Sequence, residues 1–130
     1  MPRTRSWANR RGAADLLERS LTLSRRIGDR QGEAETLAHL AEVMLDQDRH
    51  EEARARFEQS LAICQEVGDR FVEAKARCGL GLITATANPV SARLHWATAL
   101  DLFTSLGTPE ATEVRALLAD HPVPAAPVRV

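Results

Sequence analysis

The chain has 130 residues, 44% of them hydrophobic and 27% charged, which is the composition of one globular domain and not of a disordered segment. Its 17 basic and 18 acidic residues give a formal net charge of −1, which argues against direct contact with nucleic acid. No apolar run approaches the roughly 20 residues that cross a bilayer, and no apolar segment follows the basic N-terminus as in a secretory signal. We therefore expect a cytoplasmic protein that does not bind a membrane.

The first predicted element is a basic stretch, residues 1–11. Its four arginines are Arg3, Arg5, Arg10 and Arg11. Because the stretch has no recognition motif and lies beside a neutral domain, we expect a flexible, solvated arm and not a phosphate-binding one. The last element, residues 121–130, contains three prolines and predicts an extended tail. The folded region should span residues 12–120.

Three glycines divide this region at a nearly constant period. Gly28 and Gly68 are 40 residues apart, and Gly107 follows 39 residues later. Between successive glycines, apolar residues recur every three or four positions in two separate runs, which predicts two amphipathic helices for each interval. The sequence thus predicts two helix pairs with a single helix on each side. In chain order, the predicted units are residues 12–28, 29–68, 69–107 and 108–120.

Local signals predict where the second helix of each pair begins. Asp48 is followed three residues later by Glu51, the spacing of a capping box. Asn88 precedes Pro89, which places a good cap before a proline at the first helical position. We expect one helix to open at each of these sites.

The predicted second helices share one pattern of small and large residues. The aligned sets are Ala13, Leu17, Ser20 and Leu21; Ala53, Phe57, Ser60 and Leu61; and Ala92, Trp96, Ala99 and Leu100. Small residues let a neighbouring helix approach closely, and the large ones fill the remaining space. The pattern is typical of antiparallel helix pairs that stack in series.

Together these residues resemble the tetratricopeptide repeats, whose units read W-x2-L-G-x2-Y and then A-x3-F. The matching positions are Leu37, Leu40, Ala41, Met44, Ala53 and Phe57 in the first unit, and Arg77, Leu80, Gly81, Thr84, Ala92 and Trp96 in the second. The longer period is similar to that of C-terminal arrays in bacterial, especially actinobacterial, transcriptional regulators. The resemblance implies an all-α, right-handed superhelical stack of about six helices that binds proteins and is not an enzyme.

The repeated Gly-Asp-Arg element has two interpretations: a charged ligand site, or a structural joint, that is, a turn that ends one helix and begins the next. In the third copy threonine replaces the aspartate and proline the arginine, so the charge pair is lost while helix-stop and helix-start residues remain. This favours the joint. The predicted joint residues are Gly28, Asp29, Gly68, Asp69, Gly107 and Thr108.

No pattern of catalytic or metal-binding residues is present in the sequence. Glu35 and His39 share a helix face, but a metal site needs more ligands than these two. No nucleophile elbow, phosphate loop or dinucleotide fingerprint occurs, so we expect no cofactor. Cys64 and Cys78 are expected to be free, buried thiols.

The resemblance also implies a binding groove along the first helices of the pairs. The implied groove positions are Glu35, Ala38, Glu42, Leu45, Asp46, Lys75, Cys78, Leu82, Ala85, Thr86, Glu113 and Ala116. Four carboxylates and one lysine favour a basic or amphipathic protein or peptide partner, although such charges also serve solubility alone. We expect a protein-interaction module related to a bacterial transcriptional regulator. An enzyme is the alternative of a different class, and it would require a polar pocket with a cluster of titratable residues.

The first predicted helix carries more apolar residues than one buried face requires. These residues are Leu16, Leu17, Leu21, Leu23 and Ile27. Repeat stacks normally end in polar capping helices, so an apolar end helix needs a partner. Two alternatives remain open: the chain is part of a longer array, or it self-associates through its end helices.

Overall fold

The structure, a computed structural model, describes residues 7–123, with side chains from Gly12 onward. Six α-helices and no strand occur in that range. They are α1 (Trp7–Ile27), α2 (Arg30–Asp46), α3 (His50–Val67), α4 (Arg70–Thr84), α5 (Pro89–Leu106) and α6 (Glu110–Asp120). The prediction of an all-α stack of helix pairs is confirmed.

The N-terminal boundary differs from the prediction. Helix α1 begins at Trp7, so five residues assigned to a flexible arm, 7–11, are helical. A helix whose other residues pack against a neighbour can extend by further turns at little cost, since each added residue gains one backbone hydrogen bond. Residues 1–6 of the arm and 124–130 of the tail lie outside the described residues.

Helices α1, α3 and α5 each end at a glycine in the same backbone arrangement, and α2 ends in this arrangement without a glycine. Gly28, Gly68 and Gly107 have φ of 77°, 78° and 71°, the left-handed region that glycine adopts without strain. The amide after each glycine donates to the carbonyl five residues earlier, for example Asp69 N to Cys64 O at 3.0 Å. This arrangement satisfies carbonyl groups that the end of a helix leaves free.

Asp48 takes the role of glycine at the end of α2, and the predicted capping box there is wrong. Its φ is 59°, and the next amide, that of Arg49, donates to Met44 O at 2.9 Å. Aspartate is among the few residues that tolerate the left-handed conformation. Helix α3 consequently begins at His50, after Arg49, and no side chain caps it.

Side chains cap three of the helix starts. Asp29 accepts a hydrogen bond from Gly32 N and Asp69 accepts one from Val72 N, as expected of N-cap residues. Asn88 accepts from Ser91 N ahead of Pro89, so α5 begins where the sequence predicted.

Thr108 does not cap α6, contrary to the prediction. Its hydroxyl is buried and makes no hydrogen bond within the described part of the chain. Pro109 instead continues the turn, and α6 begins one residue later, at Glu110. The proline lacks the amide hydrogen that a cap could bind, which removes one of the donors available at this helix start.

Each helix packs against the next along the chain, and α2 also contacts α4. The core has two parts, one formed by α1 to α4 and the other by α4 to α6. Phe57 and Trp96, the large residues of two second helices, are fully buried against α4. Glycine in α4 makes this possible, because a Cβ at Gly79 would overlap the Phe57 ring and one at Gly81 the Trp96 ring.

Candidate functional site

The stacked helices enclose an open groove of about 450 Å³. Its lining is Glu42, Leu45 and Asp46 of α2; Phe57 of α3; Lys75, Cys78, Gly79 and Leu82 of α4; Phe103 of α5; and Glu110, Glu113, Val114 and Leu117 of α6. First helices α2, α4 and α6 contribute most of it. The groove therefore runs across the repeats and does not lie within one of them.

Seven of the predicted groove residues lie together in this lining. They are Glu42, Leu45, Asp46, Lys75, Cys78, Leu82 and Glu113. Each occupies a first helix, because the stacking order brings equivalent faces of α2, α4 and α6 toward one cavity.

Other predicted groove positions lie elsewhere. Ala38 is buried in the core, since α2 packs against α1, α3 and also α4, and it therefore cannot contact a ligand. Glu35 is exposed on α2 but is absent from the lining. Thr86 lies beyond the end of α4, which stops at Thr84 and leaves it in the loop before α5. Ala85 and Ala116 are also absent from the lining.

Sequence reasoning missed the floor of the groove. Phe57 and Phe103 belong to second helices. The aligned sets include Phe57 only as a large residue that fills space between helices, and they do not include Phe103. Gly79 has no side chain, so the Phe57 ring approaches the α4 backbone and reaches the cavity. The Gly-x-Gly run in α4 was the signal that could have indicated this close approach.

The rim of the groove is acidic. Glu42, Asp46, Glu110 and Glu113 oppose a single cation, Lys75, so the formal charge of the lining is −3, that is, four negative charges and one positive. Glu110 of α6, which the sequence did not predict, is one of these four carboxylates. An apolar floor with an acidic rim suits a ligand that is apolar on one side and cationic at its edges.

Lys75 is held at the centre of this rim by two weak contacts. Its Nζ lies 3.9 Å from Glu42 Oε2 and 5.8 Å above the centre of the Phe71 ring. Phe71 in turn meets the ring of Phe103 edge to face, with 5.6 Å between ring centres. The cation is thus positioned by an aromatic ring that packs on the groove floor as well as by a carboxylate.

Both cysteines are free, as expected, and one lines the groove. Burial raises the pKa of the Cys78 thiol to about 12, and the Glu113 and Glu42 carboxylates act in the same direction. Burial likewise raises the pKa of Cys64 to about 11. A thiolate is the reactive form of cysteine, so these two protonated thiols are poor nucleophiles and poor metal ligands.

No grouping of three or more His, Cys, Asp or Glu side chains that could hold a metal ion occurs among the described residues. His121 lies against Trp96, with 4.8 Å between ring centres, and His95 is partly buried. Burial and the nearby Arg77 and Arg54 lower the pKa of His95. None of the helices described is long and apolar enough to cross a membrane.

The Gly-Asp-Arg copies make contacts within the fold. The carboxylates of Asp29 and Asp69 cap α2 and α4. Each arginine donates a hydrogen bond to a side chain of the following helix. Arg30 bonds to Glu66 of α3, and Arg70 bonds to Ser105 of α5 at 3.2 Å. These contacts connect the start of each first helix to the end of the second helix that follows it.

Comparison with known proteins agrees with this architecture. A model of the tetratricopeptide repeat matches the chain twice, over residues 11–66 and 32–105. The chain belongs to the tetratricopeptide repeat family. The resemblance on which the sequence prediction rested is therefore confirmed, and tetratricopeptide repeats are a protein-interaction type of repeat without catalytic residues of their own.

One curated relative is Regulatory protein AfsR from Streptomyces griseus. It is 36% identical to the chain over 84 residues, which are 64% of this tetratricopeptide repeat protein and 9% of AfsR. The chain thus corresponds to a small part of that relative's length. The match supports the expected relation to repeat arrays of bacterial regulators.

Proposed function

We propose that this tetratricopeptide repeat protein binds a protein or peptide segment in the groove between α2, α4 and α6. The observation that carries the proposal is the groove's construction, an apolar floor of aromatic and aliphatic side chains bordered by charged residues from three successive first helices. Such a surface offers apolar burial for affinity and charges for orientation.

The groove's charge indicates the kind of segment. A rim with formal charge −3 attracts a basic partner and repels an acidic one, so the preferred ligand carries Lys or Arg on the edges of an apolar stripe. Lys75 offers one site for a carboxylate of the same ligand. A basic amphipathic helix has this distribution of side chains.

We further propose that the protein acts in, or together with, a bacterial transcriptional regulator. The similarity to part of AfsR, a regulatory protein, supports this role. In such a setting another protein would bind in the groove of the repeat stack, and this binding would control the regulator. Self-association through the end helices is the alternative function, and it uses a different surface.

Reversing the charge of the rim tests the groove. The variant Asp46→Arg with Glu113→Arg changes two exposed rim residues that lie at the ends of the groove on α2 and α6. Peptides selected from a random library for binding to the wild-type protein are measured against the variant by fluorescence anisotropy. We expect basic amphipathic peptides to be selected, and the variant to bind them at least about tenfold more weakly.

The matched control is Glu58→Arg with Asp101→Arg, which makes the same charge change at exposed positions of second helices α3 and α5. The control should bind the selected peptides as the wild type does, because these positions do not line the groove. Equal affinity of the rim variant and the wild type would refute the groove. Selection of acidic peptides would refute the proposed partner chemistry.

A further inference from the structure

Helix α1 has an apolar stripe that no other described element covers. Leu16, Leu23 and Ile27 are 64%, 56% and 65% exposed. They lie with Ser20 at alternating spacings of four, three and four residues, which places them along one face of the helix. A different face, with Ala14 and Leu21, is buried in the core.

The repeat indicates what this stripe is built to contact. Ser20 and Leu23 of α1 correspond, 40 residues later, to Ser60 and Ile63 of α3, which are 0% and 5% exposed. The Ser60 hydroxyl donates to Ala34 O of α2 at 2.8 Å, so this face of α3 packs against the first helix of its own pair. The middle of the α1 stripe, Ser20 and Leu23, thus corresponds to a surface that the antiparallel first helix covers in the next repeat. The positions that correspond to Leu16 and Ile27 are Arg56 and Val67, and Val67 is 42% exposed, so the apolar ends of the stripe are particular to α1.

Within the described residues, α1 has no such first helix. We propose that a second copy of this chain covers the stripe, with the two α1 helices packed antiparallel about a twofold axis. The antiparallel direction follows the α2 and α3 pair, whose short connection turns the chain back on itself. The proposal does not depend on the groove or on what binds there.

The stripe is complementary to itself in this arrangement. Placing Leu16 of one copy opposite Ile27 of the other also places Ser20 opposite Leu23. The small serine leaves room for the leucine of the other copy, so large and small side chains interdigitate as they do between helices inside the stack. A contact that uses the same surface on both copies closes after two and gives a dimer.

The other end helix is a poorer partner for the stripe. The exposed positions of α6 are Thr112, Glu113, Arg115, Ala116, Ala119 and Asp120. They include no large apolar side chain, whereas α2, the first helix that packs against α3, buries Leu37, Leu40 and Met44. Contact of α6 with α1 of another copy would also join two different surfaces, which gives open chains or closed rings and not a dimer built on one self-complementary surface.

Sedimentation equilibrium of the full chain over a range of concentrations tests the proposal. We expect the apparent mass to rise from that of the monomer toward twice that value. The variant Leu16→Gln with Leu23→Gln should weaken dimerisation by about a hundredfold or more, because two buried leucines are lost from each copy. Both positions are exposed in the monomer, so the fold itself should persist.

The matched control is Val90→Gln with Leu94→Gln on α5, where the two side chains are 57% and 65% exposed. This variant should dimerise as the wild type does. A wild-type chain that stays monomeric, an α1 variant that dimerises normally, or growth into larger polymers would overturn the proposal. In the monomeric case the stripe would belong to a helix of another protein.

Cross-linking tests the direction of packing. Chains with Leu16→Cys are mixed with chains with Ile27→Cys under mild oxidation. With the two chains in equal amounts, we expect the mixed disulfide to exceed the sum of the two disulfides between identical chains, which it would only equal if pairing were random, since only antiparallel packing brings these two positions together. Predominance of the disulfides between identical chains would contradict the antiparallel arrangement. The wild-type chain is the control, because Cys64 is fully buried and Cys78 is partly buried.

Discussion

Arg30 and Glu66 are joined by two hydrogen bonds across the interface of α2 and α3. Arg30 Nε lies 3.0 Å from Glu66 Oε2, and Arg30 Nη2 lies 2.9 Å from Glu66 Oε1. Arg70 and Ser105 make the equivalent contact in the next repeat. The arginine of the repeated motif therefore binds the fold itself, and both partners here are exposed, so the pair contributes little to stability.

Replacing Arg30 with glutamine should raise the pKa of Glu66. The hydrogen bonds from Arg30 now hold the pKa of this carboxyl below its usual value. The small stabilisation from the pair is present above the pKa that Glu66 has in the unfolded chain, and it is lost as pH falls through the lower pKa of Glu66 in the folded protein. The free energy of unfolding of the variant should therefore lack this contribution to its dependence on acid pH. NMR titration of the carboxyl measures it. Glu52, whose pKa Arg49 lowers, is the internal control; an unchanged Glu66 pKa would contradict the pairing.

Asp69, which caps α4, and Thr108, which precedes α6 without capping it, should respond differently to mutation. Asp69→Ala removes the acceptor of the Val72 amide and should lower the free energy of unfolding by about 1 kcal/mol. Thr108→Val should leave stability unchanged or raise it slightly, because the lost hydroxyl is buried without a hydrogen bond. Urea unfolding measures both. A cost for Thr108→Val equal to that for Asp69→Ala would mean that Thr108 caps α6 after all.

Gly79→Ala should destabilise the protein by about 1 to 3 kcal/mol, since the new methyl group overlaps the buried Phe57 ring. Gly12→Ala is the control in α1. Its new methyl group would meet no atom of another element within 4 Å, so the same substitution should stabilise the helix by up to about 1 kcal/mol. Thermal or urea unfolding compares the two variants, and a neutral Gly79→Ala would be inconsistent with the close packing of α3 on α4.

The two thiols should react slowly with iodoacetamide in the folded protein. Burial raises the pKa of Cys78 to about 12 and that of Cys64 to about 11, whereas in the unfolded chain both should be near 8.5. Single Cys64→Ala and Cys78→Ala variants assign the rates.

The same pKa differences predict how stability depends on pH. Above about 8.5 the unfolded chain releases thiol protons that the folded chain retains, so the free energy of unfolding should fall as pH rises. Fast alkylation of Cys78 at neutral pH in the folded protein would contradict its burial in the groove wall.

Signals confined to one or two helical turns determined much of the fold. Glycine where the chain must turn left-handed, aspartate before a free amide and apolar residues at helical spacing define the helix pairs, because each acts through atoms nearby in sequence. The resemblance to the tetratricopeptide repeats implied a groove along the first helices α2, α4 and α6. Glu42, Lys75 and Glu113 were assigned to the groove on that basis, and all three line it.

The remaining features depend on distances between helices, which no local signal specifies. Ala38 is buried within a stack in which α2 contacts α4 as well as its immediate neighbours, and Glu110, the first residue of α6, lies on the groove rim. Phe57 reaches the groove floor because Gly79 lets its ring approach the α4 backbone. The sequence thus determined which helices form and in what order they stack, and only the tertiary structure decided which side chains the stacking buries and which it leaves free to bind.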